Sequence, residues 1–187
     1  MFLTLMLILS YLLGSIPFGK IICGYSGVDI QKRGSGNIGF ANVLRIMGWR
    51  YALPTLIGDA LKGYIPVMIA GQLSFSIPEQ FLVGVAAIVG HVFSIFLKGK
   101  GGKGVATGLG VLLYFQPAAA ICGLAVYTVL LRFKKESSAA SILCLGIAAL
   151  VGILLEHSFW WMYVVFMIMA AFTLRQNITG WLRSGDD

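Results

Sequence analysis

GVATGLGVLLYFQPAAAICGLAVYTVLL, residues 104–131, runs about 28 residues without a charge, and the fold turns on whether it forms one long helix or two short ones. A helix needs about 20 residues to cross a hydrocarbon core, so length alone allows either. Charge decides. A single span would put Arg132, Lys134 and Lys135 on the opposite side from Lys98, Lys100 and Lys103, against the bias that gathers Lys and Arg on one membrane face. With two short spans meeting at Gln116-Pro117, the basic clusters at 32–50, 98–103, 132–135 and 175–183 share one side, and the other loops carry no Lys or Arg.

The same reading extends outward along the chain. Phe2 to Cys23, Tyr51 to Ala70, Phe81 to Leu97, Ala139 to Leu155 and Phe159 to Leu174 each approach the length of a span. The expectation is an all-α polytopic membrane protein forming one domain over residues 1–187. It has seven transmembrane helices, two of them short, with the N-terminus outside and the C-terminus cytoplasmic. Composition agrees: 58% of the residues are hydrophobic and 11% charged, which excludes an ordinary water-soluble domain. The net charge of +7 lies in short loop clusters, so it points to a membrane face and not to nucleic acid. Met1-Phe2-Leu3 enters an apolar run with no basic n-region or A-x-A site, so the first segment is expected to remain as a span. Cys23, Cys122 and Cys144 lie in apolar stretches without metal-ligand spacing and read as small packing residues.

Chemistry must then come from the short basic loops. Gly34-Ser35-Gly36-Asn37-Ile38-Gly39-Phe40-Ala41-Asn42, followed by Arg45, has G-x-G-x-x-G spacing, but it follows a membrane helix and not a strand, so it is not a dinucleotide site. Its glycines expose backbone N–H groups, Ser35 and Asn37 add donors, and Arg45 can clamp an anion. Lys98-Gly99-Lys100-Gly101-Gly102-Lys103-Gly104 opens into an apolar helix at Val105. It lacks the hydroxyl that follows the lysine of a Walker loop, yet its amides, its ammonium groups and a helix N-terminus suit a phosphate. Binding of anionic lipid heads is the plainer alternative for this loop.

His91 lies in an apolar run just before that loop, either as a functional intramembrane group or as a helix-bonded histidine. Asp59 and Lys62, at i,i+3, read as a structural ion pair. Ser137 or Ser138 can cap the sixth span, which leaves Ser141 one turn inside it without that role. Beyond the last span stand Arg175 and Asn177.

Taken together, the segments at 34–42, 90–91 and 99–107, Asp59 with Lys62-Gly63, and Arg-x-Asn-Ile at 175–178 resemble the bacterial acyl-phosphate:glycerol-3-phosphate acyltransferase family over essentially the whole chain. The resemblance implies transfer of a fatty acyl group from acyl phosphate to the 1-hydroxyl of glycerol 3-phosphate in the bacterial inner membrane. The products would be lysophosphatidic acid and inorganic phosphate, with the active site on the cytoplasmic side. It further implies substrate contacts from Ser35, Gly36, Asn37, Arg45, Gly101, Gly102, Lys103, Gly104, Ser141, Arg175 and Asn177. Lys103 and His91 would stand at the reacting centre, with no dedicated general base. Asn42, Asp59 and Lys62 would give structural support.

Neither a cofactor nor a metal is implied; the partners are the two substrates and membrane lipids, and the chain is taken as a monomer. Ala41, Ser94, Leu174 and Gly180 stand where the family usually has Thr, Pro, His and Arg. The last two exchanges imply altered substrate affinity and not loss of function. An anion transporter or channel with cytoplasmic basic loops is the alternative, and basic charge on one face only argues against it.

The topology is checked by thiol labelling. Cysteines introduced near Ser76 and Gln116 should react from outside and one near Lys134 only from the cytoplasm; cytoplasmic-only labelling at 116 would rule out the two short spans.

Overall fold

The computed structural model describes the backbone of residues 1–132 and 137–183, with side-chain surroundings for 1–130 and 140–172. All its regular elements are helical: α1 (Phe2–Ser15), α2 (Phe18–Gly24), α3 (Phe40–Met47), α4 (Trp49–Gln72), α5 (Ile77–Val92), α6 (Val105–Phe115), α7 (Pro117–Arg132), α8 (Ser137–Leu155) and α9 (Trp160–Arg183), with short 3-10 turns at Ile30–Lys32, Ile95–Leu97 and His157–Phe159. They form two compact units, Met1–Phe115 and Gln116–Asp187.

The stretch at 104–131 does divide. α6 ends at Phe115 and α7 starts at Pro117, because a residue before proline is pushed out of the helical region while proline itself suits the first helical position. The same physics corrects the first segment: Phe2 to Cys23 is not one helix. Ile16 takes an extended conformation (φ −60°, ψ 119°) before Pro17, and α2 restarts at Phe18. The last segment also differs. It does not end at Leu174, since α9 continues to Arg183, so Arg175 and Asn177 lie on a helix and not on a tail.

In the first unit, small residues let helices approach closely, as apolar helices without a hydrophobic drive between them must. A Cβ on Gly14 would overlap the Ala87 carbonyl, and one on Gly90 the Tyr11 carbonyl, so α1 lies directly on α5. Hydroxyl groups join the same pair. Ser10 Oγ donates to Val83 O at 2.6 Å, Tyr11 OH to Phe93 O at 2.8 Å and Ser94 Oγ to Ser15 O at 2.5 Å. Ser94, where the family usually has proline, thus ties α5 to the end of α1. Gly63 and Gly110 bring α4 against α6 in the same way.

On α4, Leu53, Ile57 and Leu61 form an exposed apolar stripe at i, i+4, i+8, and on α1 Leu5, Ile8, Leu9 and Leu12 form one at i, i+3, i+4, i+7. Such faces suit lipid and not water. Phe2–Gly24 and Ile77–Leu97 are long and apolar enough to cross a membrane. α4 is longer than either at 24 residues, but it carries Asp59 and Lys62.

In the second unit, α7 packs on α8 through Gly123, whose Cα side faces Ala148 and Cys144, and Leu145 packs with Ala170 of α9. Gln116 Nε2 donates to Glu156 O at 3.4 Å and its amide oxygen meets Tyr163 OH, which fixes the start of α7 to the α8–α9 turn. Of the cysteines, Cys23 and Cys144 are buried as expected, but Cys122 is exposed on α7.

These close approaches have a measurable consequence. Gly90→Ala must push a methyl into a backbone carbonyl and should destabilise by roughly 1–3 kcal/mol. Gly146, with nothing within 4 Å of its missing Cβ, should accept alanine with no loss. Thermal unfolding in detergent checks the pair.

Candidate active site

The first glycine loop is organised by one buried side chain. Asn42, in the first turn of α3, donates from Nδ2 to Asn37 O at 2.8 Å, to Arg33 O at 3.0 Å and to Ile30 O at 3.4 Å, while its Oδ1 accepts from Ser35 N at 3.0 Å. The NH2 group shares its two hydrogens among three carbonyls and the amide oxygen takes a backbone N–H, so that residues 30–42 fold around one side chain. Gly34 and Gly36 have φ of +56° and +70°, a region L-residues rarely adopt, and a Cβ on Gly34 would strike Asn42 Oδ1. Several amides expected to be open are instead used within the loop: Gly36 N donates to Arg33 O at 3.0 Å and Gly39 N to Asn37 Oδ1 at 2.8 Å. Ser35 and Arg45 are solvent-exposed and Asn37 half-buried, so the hydroxyl, the guanidinium and the Asn37 NH2 are the groups that can meet a ligand.

The second loop rests on His91. Gly101 N donates to Val92 O and Gly102 N to His91 O, both at 3.0 Å, so these amides close the C-terminal end of α5. This corrects the expectation that Gly101 and Gly102 offer their N–H groups to a phosphate. Their lack of side chains has another cause, since a Cβ on Gly101 would overlap the His91 carbonyl and one on Gly102 would overlap His91 Nε2. Lys103 is half-buried and Gly104 buried. Gly104, at φ +81°, turns the chain into the N-terminus of α6, where unpaired N–H groups and the helix dipole favour an anion.

Beneath this loop lies a buried polar cluster. Lys62 Nζ is 2.8 Å from Asp59 Oδ1, and His91 Nδ1 is 3.6 Å from the same oxygen. The three side chains are all at most 3% exposed. The expected Asp59–Lys62 pair is therefore present and extends to His91. By distance it is an ion pair, although the angles leave Asp59 without an aligned hydrogen bond. The Lys62 ammonium donates instead to Ile16 O at 2.7 Å and lies 5.7 Å from the centre of the Phe18 ring. It thereby serves a carbonyl that the Pro17 break removes from the α1 ladder.

Two further residues escape the sequence reading. Lys20 of α2 donates to Gln31 Oε1 at 2.6 Å, and Gln31 Nε2 donates to Lys100 O at 3.3 Å, linking the two loops. Lys20 had one legible signal, a cation inside an apolar segment; Gln31 had none. Ser141 is buried on α8 in the second unit. Arg175 and Asn177 fall on α9, with side chains outside the described residues, as is that of Leu174; the surroundings of Gly180 lie outside them too.

The family model described as "Glycerol-3-phosphate acyltransferase" matches residues 4–184. The chain belongs to the glycerol-3-phosphate acyltransferase family. It is 42% identical over 182 residues to the glycerol-3-phosphate acyltransferase of Geotalea daltonii, covering 95% of this chain and 92% of that one. With that of Trichlorobacter lovleyi it shares 45% over 149 residues, 80% and 77% of the two chains. The crystal structure of PlsY (YgiH), an integral membrane glycerol 3-phosphate acyltransferase, in its glycerol 3-phosphate form, superposes with a TM-score of 0.87 at 35% identity, over 98% of this chain and 94% of that one.

In this acyltransferase the loop shaped by Asn42 is directly testable. Asn42→Asp keeps the acceptor for Ser35 N but loses the NH2 that serves the Arg33 and Asn37 carbonyls. Leaving such carbonyls unpaired costs ~1–3 kcal/mol, and acyltransferase kcat/KM should fall by roughly 10-fold or more. Wild-type kinetics from Asn42→Asp would remove Asn42 from the argument.

Proposed function

We propose that this membrane acyltransferase moves a fatty acyl group from acyl phosphate to the 1-hydroxyl of glycerol 3-phosphate, releasing lysophosphatidic acid and inorganic phosphate. The observation that carries the reading is the pairing of two glycine loops. Gln31 joins them by its bond to Lys100, one loop presents Ser35, Asn37 and Arg45, and the other leads Lys103 into a helix N-terminus. Two adjacent anion-suited loops fit a reaction in which both substrates carry a phosphate. A relative whose structure is described in a lysophosphatidic acid form supports the same product.

The chemistry asks little of the protein. Acyl phosphate is a mixed anhydride with a good leaving group. The glycerol hydroxyl oxygen bonds to the acyl carbon, the bond from that carbon to the phosphate oxygen breaks, and the hydroxyl proton passes to the departing phosphate. Lys103 and the amides at the start of α6 neutralise charge developing on the acyl and phosphate oxygens. Ser35, Asn37, Arg45 and Gly104 hold the substrates in reacting order, while Gly36, its amide spent on Arg33 O, shapes the loop that presents them. His91 braces the second loop from below, with Asp59 and Lys62 behind it. Ser141, Arg175 and Asn177, which the resemblance also implied as substrate contacts, belong to the second unit.

The whole of residues 1–187 acts as one monomeric domain, without a cofactor, in the bacterial inner membrane. Seven spans, the N-terminus outside and the C-terminus inside place the loops at the cytoplasm.

Purified protein in detergent, given acyl phosphate and glycerol 3-phosphate, should release phosphate and lysolipid in equal amounts and none with acyl-CoA as donor. Lys103→Ala should lower kcat by roughly 100-fold, the scale of one lost oxyanion donor. Lys98→Asn, at an exposed position with φ 52° that asparagine tolerates, should leave it unchanged. Phosphate release without a lysolipid product, or equal losses in the two variants, would overturn the reading.

A further inference from the structure

The two loops are each shaped by their own bonds, the first by Asn42 and the second by the carbonyls of His91 and Val92. Nothing in those bonds sets the gap between the loops, yet transfer requires that the hydroxyl carried on one phosphate meet the acyl carbon carried on the other. Misplacement of about 1 Å in such a geometry can lower a rate by 100-fold.

Gln31 spans that gap. It belongs to the 3-10 turn Ile30–Lys32, which is fixed at its start by Gln31 N donating to Asp29 Oδ1 at 3.2 Å and from above by Asn42 Nδ2 on the Ile30 carbonyl. The turn is therefore rigidly joined to the first loop, and the Gln31 carbonyl lies 3.0 Å from where a Cβ of Gly36 would be. From this base the side-chain amide reaches Lys100 O of the second loop at 3.3 Å. Its orientation is decided chemically. The Lys20 ammonium, 2.6 Å from Oε1, has only donors and must face the amide oxygen, which turns the NH2 toward the Lys100 carbonyl. A cation on Oε1 also polarises the amide and strengthens its N–H as a donor.

We infer that Gln31, oriented by Lys20, is a positioning residue that sets the distance between the two phosphate-bearing loops. It touches neither substrate. This rests on the two-loop reading of the active site and adds to it the element that couples the loops. Because each loop keeps its own shape without the clasp, binding of either substrate survives its loss, and the defect falls on turnover.

The test is a cycle of Gln31→Met, Lys20→Met and the double variant, each assayed as the full chain in detergent with both substrates varied. Wild-type activity is measured first, so that an inactive wild type overturns the two-loop reading itself, and the clasp with it. Gln31→Met should lower kcat by roughly 5-fold, the scale of one hydrogen bond, with KM for both substrates and the unfolding temperature unchanged. Lys20→Met should lower kcat in the wild-type background and have no further effect in the Gln31→Met background, because both act through one contact. Equal effects of Lys20→Met in the two backgrounds, or a rise in KM with kcat retained, would overturn the clasp and make Lys20 a direct electrostatic contributor. Should Gln31→Met not fold, Gln31→Glu takes its place in the cycle, keeping an oxygen for Lys20 but losing the donor to Lys100 O: a lower kcat at unchanged KM supports the clasp, and an unchanged kcat refutes it.

Discussion

The buried ammonium of Lys62 is the contact around which the first unit is organised. It meets the Ile16 carbonyl at the Pro17 break, lies against Asp59 and faces the Phe18 ring. Asp59 in turn faces His91, and His91 holds up Gly102. One lysine therefore connects the bend between α1 and α2 with the floor of the second glycine loop. A charge so deeply enclosed is tolerable only when paired and hydrogen-bonded, and removing any member leaves the others buried and uncompensated. This explains why a segment so apolar contains the pair at all. At the Pro17 break the Ile16 carbonyl accepts from Phe18 N and takes the ammonium as a second donor; the ammonium needs a counter-charge, and the counter-charge lies against the histidine beneath the site.

Much of this was legible in the sequence. Charge distribution along the chain separated α6 from α7, because basic residues on both sides of 104–131 had to be reconciled, and the glycine motifs located both loops. The i,i+3 spacing of Asp59 and Lys62 gave their pairing, since a helix places such residues side by side. The break at Pro17 was missed although Ile16-Pro17 carries the same signal as Gln116-Pro117. The signal is not sufficient alone, for Pro54 and Pro66 both lie inside an unbroken α4. What distinguishes Pro17 is a donor from a residue 46 positions away, which no local pattern can reveal.

The glycines show a similar limit. Gly101 and Gly102 stand out in sequence as flexible, phosphate-friendly positions, but the structure uses them as gaps through which the loop lies flat on His91. Conversely, the structural support expected of Asn42 takes a definite form only in its four contacts, and Gln31 carries no sequence signal because its partner is a main-chain carbonyl in a distant loop.

The Asp59–Lys62 spacing also bears on how the protein enters the bilayer during synthesis. Inserted separately, an acidic or basic side chain at the centre of a helix costs about 2.5–3.5 kcal/mol on the translocon scale. Their separation of one turn lets the two charges neutralise each other within α4 alone, before α5 with His91 has left the ribosome. The stretch of α4 after Arg50 is thus net-neutral at that stage, and the later arrival of α5 encloses a pair already formed. The order of the residues along the chain matches the order in which the membrane would have to accept them.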